Sequence, residues 1–137
     1  MSNAPKILKI KSDRTELRKV ELFLTEIFLQ YKLPLQSFNK VLLCVSEAVV
    51  NSIDHGNKNN QFKKVDIRVN CLTQQKIEVQ ISDEGNGFNF QTLKDPTYAE
   101  NVKKETGRGI YIITKLSDEI EFRNKGNCVR FKVSVSE

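Results

Sequence analysis

Glu47 and Asn51 stand four residues apart, and an Asn amide oxygen is a hard donor of the kind that Mg²⁺ takes together with nucleotide phosphates. A carboxylate one helical turn away can receive the proton of an attacking hydroxyl. His55 follows a further turn along, so Glu47-Ala-Val-Val-Asn51 and Asp54-His55-Gly56-Asn57 read as one polar stripe on a helix. Asp83 heads a second motif, Asp83-Glu84-Gly85-Asn86-Gly87-Phe88. A carboxylate only accepts hydrogen bonds, so it can hold the exocyclic amine of adenine and rejects the carbonyl that guanine carries there. Gly85 and Gly87 allow the backbone to approach a flat base and to turn with positive φ. A third motif, Thr106-Gly107-Arg108-Gly109-Ile110, stands where an apolar helix begins. Unpaired amides around Gly107 to Gly109 would bind phosphate at such a helix start, with Arg108, Lys103 and Lys104 adding charge near a γ-phosphate. Each motif alone suits a plainer role: a solvated stripe, a Gly-rich turn, a helix-start turn. Their order and spacing together form the inventory of an ATP site.

Other nucleotide motifs do not fit. There is no G-x-x-x-x-G-K-S/T loop, no third glycine to complete a dinucleotide fingerprint, and no H-R-D or D-F-G pair. With 137 residues the chain suits one domain with a real core, and 39% hydrophobic against 28% charged residues is a globular balance. No apolar run reaches the ~20 residues of a membrane span, and the N-terminus lacks a signal-peptide core, which predicts a cytoplasmic protein without membrane contact. Cys44, Cys71 and Cys128 are widely separated and, beside a single histidine, form no metal cluster; free buried thiols are expected. The net charge of +5 is uneven, with six basic and two acidic side chains in the first twenty residues. With no interleaved aromatics or Arg-rich stretch, this predicts a solvated face or a docking face for an acidic protein, and no direct nucleic-acid binding.

The elements that must position the motifs follow from periodicity. Residues 6–11 alternate basic and apolar, as in a short edge strand. Asp13 with Glu16 reads as a capping box before a helix with Leu17, Val20, Leu24, Ile27 and Phe28 at helical spacing, ending near Tyr31 ahead of Pro34. Ser37 can cap a second helix whose stripe is Val41, Leu42, Val45, Val49 and Ile53, stopped by Gly56 near His55. Residues 65–72 and 77–81 alternate at period two and predict a hairpin. Residues 88–107 lose periodicity and predict a lid. An apolar helix over 109–116 and strands over 120–123 and 129–135, joined through Asn124-Lys125-Gly126-Asn127, complete the order β-α-α-β-β-(lid)-α-β-β.

On these three motifs the chain resembles the GHKL ATPases of gyrase, Hsp90, histidine kinase and MutL type. It is more closely similar to the single-domain anti-sigma factor serine/threonine kinases of sporulation and stress-response switches. Residues 47–57 resemble that family's N box, residues 83–88 its first glycine box and residues 106–110 its second, and the likeness runs over nearly the whole chain. It implies an α/β fold of the α+β two-layer kind, a Bergerat-type ATP-binding sandwich with a mixed, mainly antiparallel sheet and helices on one face. It implies ATP and Mg²⁺ as cofactors, with Asn51 coordinating the metal, Asp83 binding adenine and Glu47 as catalytic base. His55, Gly85, Gly87, Lys104, Thr106, Gly107, Arg108, Gly109 and Ile110 complete the expected nucleotide-binding set. It further implies phosphorylation of a serine on a STAS-type antagonist, sequestration of a sigma factor, and a homodimer whose basic first strand and helix dock partners. The chain departs from the family pattern at Asn127, where Thr commonly follows Gly, and at Glu105, where a cation is common and Arg108 or Lys104 would have to replace it. An ATP-binding sequestering module without phosphoryl transfer is the rival expectation, and a stand-alone histidine-kinase catalytic domain a third. No dimerisation helix with a phosphoacceptor histidine accompanies the motifs.

Overall fold

A computed structural model of the chain describes residues 4–85, 105–123 and 127–135, with the side chains of residues 105–108 left aside. The described elements run β1 (Lys6–Lys11), α1 (Leu17–Gln30), α2 (Phe38–Asn51), β2 (Lys64–Thr73), β3 (Lys76–Ser82), α3 (Glu105–Leu116), β4 (Glu119–Arg123) and β5 (Cys128–Ser134). The strands form one sheet in the order β1-β2-β3-β5-β4. All four pairings are antiparallel, so the parallel component of the expected mixed sheet is missing among the described residues. The expected α+β class, hairpin and edge position of the first strand all hold.

Period-two alternation explains the sheet. Val65, Ile67, Val69 and Cys71 of β2, Ile77, Val79 and Ile81 of β3, and Val129, Phe131 and Val133 of β5 are buried on one face. Arg68, Gln80 and Arg130 lie side by side on the other, where Arg130 pairs with Glu78 at 2.6 Å and Glu121 at 2.7 Å. The helices cover only the apolar face. Val20, Leu24, Ile27 and Phe28 of α1, Val41, Cys44, Val45, Ala48 and Val49 of α2, and Ile110 and Ile113 of α3 join the strands in a single core. Among the described residues no helix is long and apolar enough to cross a membrane. All three cysteines are free and buried, and burial pushes the Cys44 thiol up to about 11.

Three local signals resolve differently from their expectation. Asp13 does cap, accepting from the Thr15 N–H at 2.9 Å, but it caps a 3₁₀ turn (Arg14–Glu16) that precedes α1. Glu16 reaches the Lys11 N–H at 3.2 Å instead of closing a box on Asp13, because the Asp13 N–H is already bonded to the Lys11 carbonyl. Ser37 occupies the N-cap position of α2 without a side-chain cap bond, behind a second 3₁₀ turn (Leu35–Ser37). Gly56 does not stop the second helix by reversing the chain. After Asn51 the helix widens into a π turn (Ser52–Gly56), closed by the Asn57 N–H on the Ser52 carbonyl at 2.8 Å. The reversal falls on Lys58 and Asn59, with φ of 54° and 59°.

Candidate functional site

The inward stripe of α2 leaves Glu47 and Asn51 on its flank, both half-buried and both turned toward α3. The contact point there is Gly109. A Cβ on that residue would lie 3.1 Å from Asn51 Nδ2, 3.1 Å from Glu47 Oε2 and 3.4 Å from Asn51 Oδ1. The two polar side chains therefore converge on the space beside Gly109, where a methyl group would press on both by a few tenths of an ångström. Asn51 Nδ2 is buried and has no hydrogen-bond partner, an arrangement that costs about 1–3 kcal/mol unless something else supplies contacts to the amide. The orphan is an N–H donor, which suits an acceptor such as a phosphate oxygen, while Asn51 Oδ1 and the Glu47 carboxylate beside it are hard oxygens of the kind that Mg²⁺ takes together with waters and phosphates. Among the described residues no cluster of three or more His, Cys, Asp or Glu could hold a metal by itself.

The π turn carries the chain from this pair to the other end of the site. Ser52, next after Asn51 and buried, hydrogen-bonds to the Asp83 carboxylate at the end of β3. Asp83 Oδ1 also accepts the Gly85 N–H at 2.8 Å. Burial raises the Asp83 pKa above its ordinary value, against the opposing pull of the Gly85 amide, the Ser52 hydroxyl and the Lys63 charge. Gly56 and Gly85 serve close approach here. A Cβ on Gly56 would sit 2.3 Å from Asp83 Oδ2, and one on Gly85 would sit 2.0 Å from the Gly56 carbonyl oxygen. Gly85 does not adopt the expected positive φ, since its role is to let two backbones touch. From the other side the Asn127 amide donates toward the carbonyls of Asp83 at 3.3 Å and Gly85 at 3.5 Å, and the Asp83 N–H bonds the Asn127 carbonyl at 2.9 Å. Asn127, flagged as a departure from the family pattern, thus braces the Asp83 loop.

The structure brings Glu47, Asn51 and Gly109 together, and Asp83 together with Gly85. His55 lies on the π turn with an exposed side chain. Ile110 is 3% exposed and seats α3 in the core. The expected lid of 88–107 ends sooner, because α3 starts at Glu105. Thr106, Gly107 and Arg108 therefore lie within the first turn of α3, where backbone amides have no helical partner, while the Gly109 amide belongs to the second turn. Gly87, Lys103, Lys104 and the rest of the lid lie outside the described residues. Ser52 carried no functional signal in the sequence, and Gly56 and Asn57 were read only as part of the N-box motif, without a role of their own in the site. A serine inside a helical stretch gives no signal, whereas Asn57, a polar residue directly after the N-box glycine, could have been suspected.

Residues 10–133 match the histidine kinase-like ATPase domain family. The chain belongs to that family. This histidine kinase-like ATPase domain is 32% identical over 88 residues to the serine-protein kinase RsbW of Bacillus subtilis strain 168, covering 60% of this chain and 54% of that protein. It is 28% identical over 120 residues to the serine-protein kinase RsbW of Staphylococcus aureus, covering 82% of this chain and 75% of that one. The chain thus spans about half the length of the first relative and three quarters of the second. In fold, the ATPase domain resembles a crystal structure of the RsbU and RsbW domains of a Mycobacterium tuberculosis protein. The TM-score is 0.66 at 12% identity, covering 96% of this chain and 31% of that one.

Proposed function

We propose that this chain is a Mg-ATP-dependent serine/threonine protein kinase that acts as an anti-sigma regulatory factor. One observation carries the reading: adjacent residues of one helical segment serve the two ends of a nucleotide site. Asn51 turns with Glu47 toward Gly109, and Ser52 turns to the Asp83 carboxylate. The names of the RsbW relatives as serine-protein kinases support the reaction class.

In this reading the Asp83 carboxylate accepts the adenine amine, Asn51 offers its amide oxygen to Mg²⁺, and the first-turn amides of α3 receive phosphate oxygens. Bound Mg²⁺ would neutralise phosphate charge. The acceptor serine oxygen bonds to the γ-phosphorus as the bond to the ADP oxygen breaks, and Glu47 takes the serine proton. Such catalysis rests on positioning and charge stabilisation. The phosphoryl acceptor is a STAS-type antagonist protein, and the chain also sequesters a sigma factor as a cytoplasmic homodimer. The basic, exposed Lys9 and Lys11 of β1 and Arg14 beside them support a protein-docking face there.

The test is transfer of label from γ-labelled ATP to STAS-type proteins of the same host. Glu47→Ala is expected to retain ATP binding and to lower transfer by roughly 10²–10⁴-fold, the usual contribution of a general base. Unchanged transfer removes Glu47 from the catalytic role. ATP binding without any labelling of antagonists favours the sequestering module instead.

A further inference from the structure

We propose that Asn57 is a positioning residue for the base end of the nucleotide, a clamp that holds the Asp83 loop without touching the ligand itself. The inference rests on the reading of Asp83 as the adenine-binding carboxylate.

Asn57 is 1% exposed and directly follows the π turn. Its Nδ2 donates to Ser12 Oγ at 2.8 Å and to the Lys64 carbonyl at 3.0 Å, while its Oδ1 accepts the Glu84 N–H at 2.8 Å. The Ser12 hydroxyl itself donates to the Lys63 carbonyl at 2.7 Å, so it meets Asn57 as an acceptor. The amide orientation is therefore fixed: turned over, it would set oxygen against the Lys64 carbonyl and N–H against the Glu84 N–H. One side chain thus ties together the end of β1, the start of β2 and the loop after β3. Asp lacks the two donors, and Ala lacks all three bonds.

The placement of the Glu84 bond gives the clamp its purpose. Glu84 lies between Asp83, whose carboxylate is held by Ser52, and Gly85, whose carbonyl is braced by Asn127 and whose Cα abuts Gly56. Fixing the Glu84 N–H fixes the peptide plane that leaves Asp83. Without it the loop keeps the Ser52, Gly56 and Asn127 contacts but loses the one bond from this segment that sets its backbone, and the carboxylate is held less closely relative to Asn51. The effect belongs to the base end, so ATP and ADP should weaken by the same factor, and turnover at saturating ATP should hold.

Calorimetry with ATP and ADP, paired with KM and kcat for phosphoryl transfer, tests this in Asn57→Ala, in the milder Asn57→Ser, and in Ser12→Ala. The Asn57 variants are expected to raise the Kd of both nucleotides and the KM for ATP about 10-fold, with kcat within about 2-fold. Ser12→Ala removes a scaffold partner and leaves the Glu84 bond intact, so it should lower the melting midpoint while keeping nucleotide affinity within about 2-fold of wild type. Folded Asn57→Ala or Asn57→Ser protein that binds ATP like wild type overturns the clamp. So does equal loss of affinity in Ser12→Ala, which would mark Asn57 as a general structural residue. A wild-type chain that fails to bind ATP overturns the kinase reading and the clamp together, whereas wild-type binding with unaffected variants overturns the clamp alone.

Discussion

Gly109→Ala is a substitution for which stability and activity should part company. Glycine inside a helix is less stable than alanine by roughly 0.5–1 kcal/mol, so the replacement begins with a gain for α3. Against it stands the new methyl group, 3.1 Å from Asn51 Nδ2 and from Glu47 Oε2, where the neighbours must give by a few tenths of an ångström. They can give, because Asn51 Nδ2 has no bond to break and Glu47 is only half-buried. The two terms nearly offset, and the melting midpoint should move by less than about 5 °C, the equivalent of roughly 1 kcal/mol in a domain of this size. Catalysis has no such offset. Misplacement by about 1 Å can cost ~10²-fold in rate, so, with Asn51 and Glu47 in their proposed roles, a shift of a few tenths at both should lower transfer on the order of 10-fold. Thermal melting, ATP calorimetry and labelled-phosphate transfer on one preparation read all three quantities. Full transfer activity in a well-folded Gly109→Ala protein would refute the idea that this contact is where the reaction is set. A drop in midpoint well beyond that range would instead make Gly109 a packing residue of the core.

Asp83 supplies a pH prediction. Its raised pKa means that the carboxylate, which the proposed reading assigns to the adenine amine, is fully charged only above a pH higher than that of an exposed aspartate. ATP affinity should therefore fall on acidification through that raised pKa, and Ser52→Ala, which removes a bond favouring the charged form, should move the fall to still higher pH. Ligand-free stability runs in the opposite sense: the folded state holds this proton more tightly than the unfolded chain, so stability declines as pH rises through the same window. Calorimetry and thermal melts across a pH series check both, and identical binding profiles for wild type and Ser52→Ala would refute the Ser52–Asp83 coupling. For the scaffold, Phe28 is 1% exposed and meets Phe38 edge-on at 5.2 Å and 86°. Phe28→Ala should cost roughly 3–5 kcal/mol in urea unfolding, and a loss below about 1 kcal/mol would contradict its place in the core.

The strands and helices were legible because their residues repeat at the period of the element: β2 and β3 at two, α1 and α2 at three to four. The meeting of Glu47 with Asn51 and the place of Asp83 just past β3 were legible because helical spacing sets the first and the end of the β3 alternation sets the second. What escaped was decided by contacts between segments far apart in the chain. The need for glycine at 56 and 85 arises from the approach of the π turn to the loop after β3, and sequence reasoning assigned it to helix stopping and positive φ instead. The capping box at Asp13 and Glu16 misled for a related reason, since the Asp13 N–H was already committed to the preceding strand. The start of α3 was set too late because its first turn, Glu105 to Arg108, carries no apolar stripe.

The π turn gives the site its span. In a regular helix successive side chains are about 100° apart, which suffices to aim Asn51 at α3 and Ser52 at the end of β3 from adjacent positions. A regular helix continued to Gly56 would keep rotating at that pitch. The wider turn adds a residue, still buries Ile53 completely, and sets Gly56 directly against Asp83 and Gly85. Such bulges interrupt the regular ladder and recur at functional sites. Here seven consecutive residues, Asn51 to Asn57, carry the amide proposed for the metal end, the Ser52 and Gly56 contacts to the Asp83 carboxylate proposed for the base end, and the Asn57 bond to the Glu84 N–H. In the proposed reading, a single short segment then sets the distance between the two ends of the nucleotide site. Arg14, on the basic side of the first strand and turn, also pairs with Asp54 inside that segment, so the same π turn is held from outside the core as well as from within it.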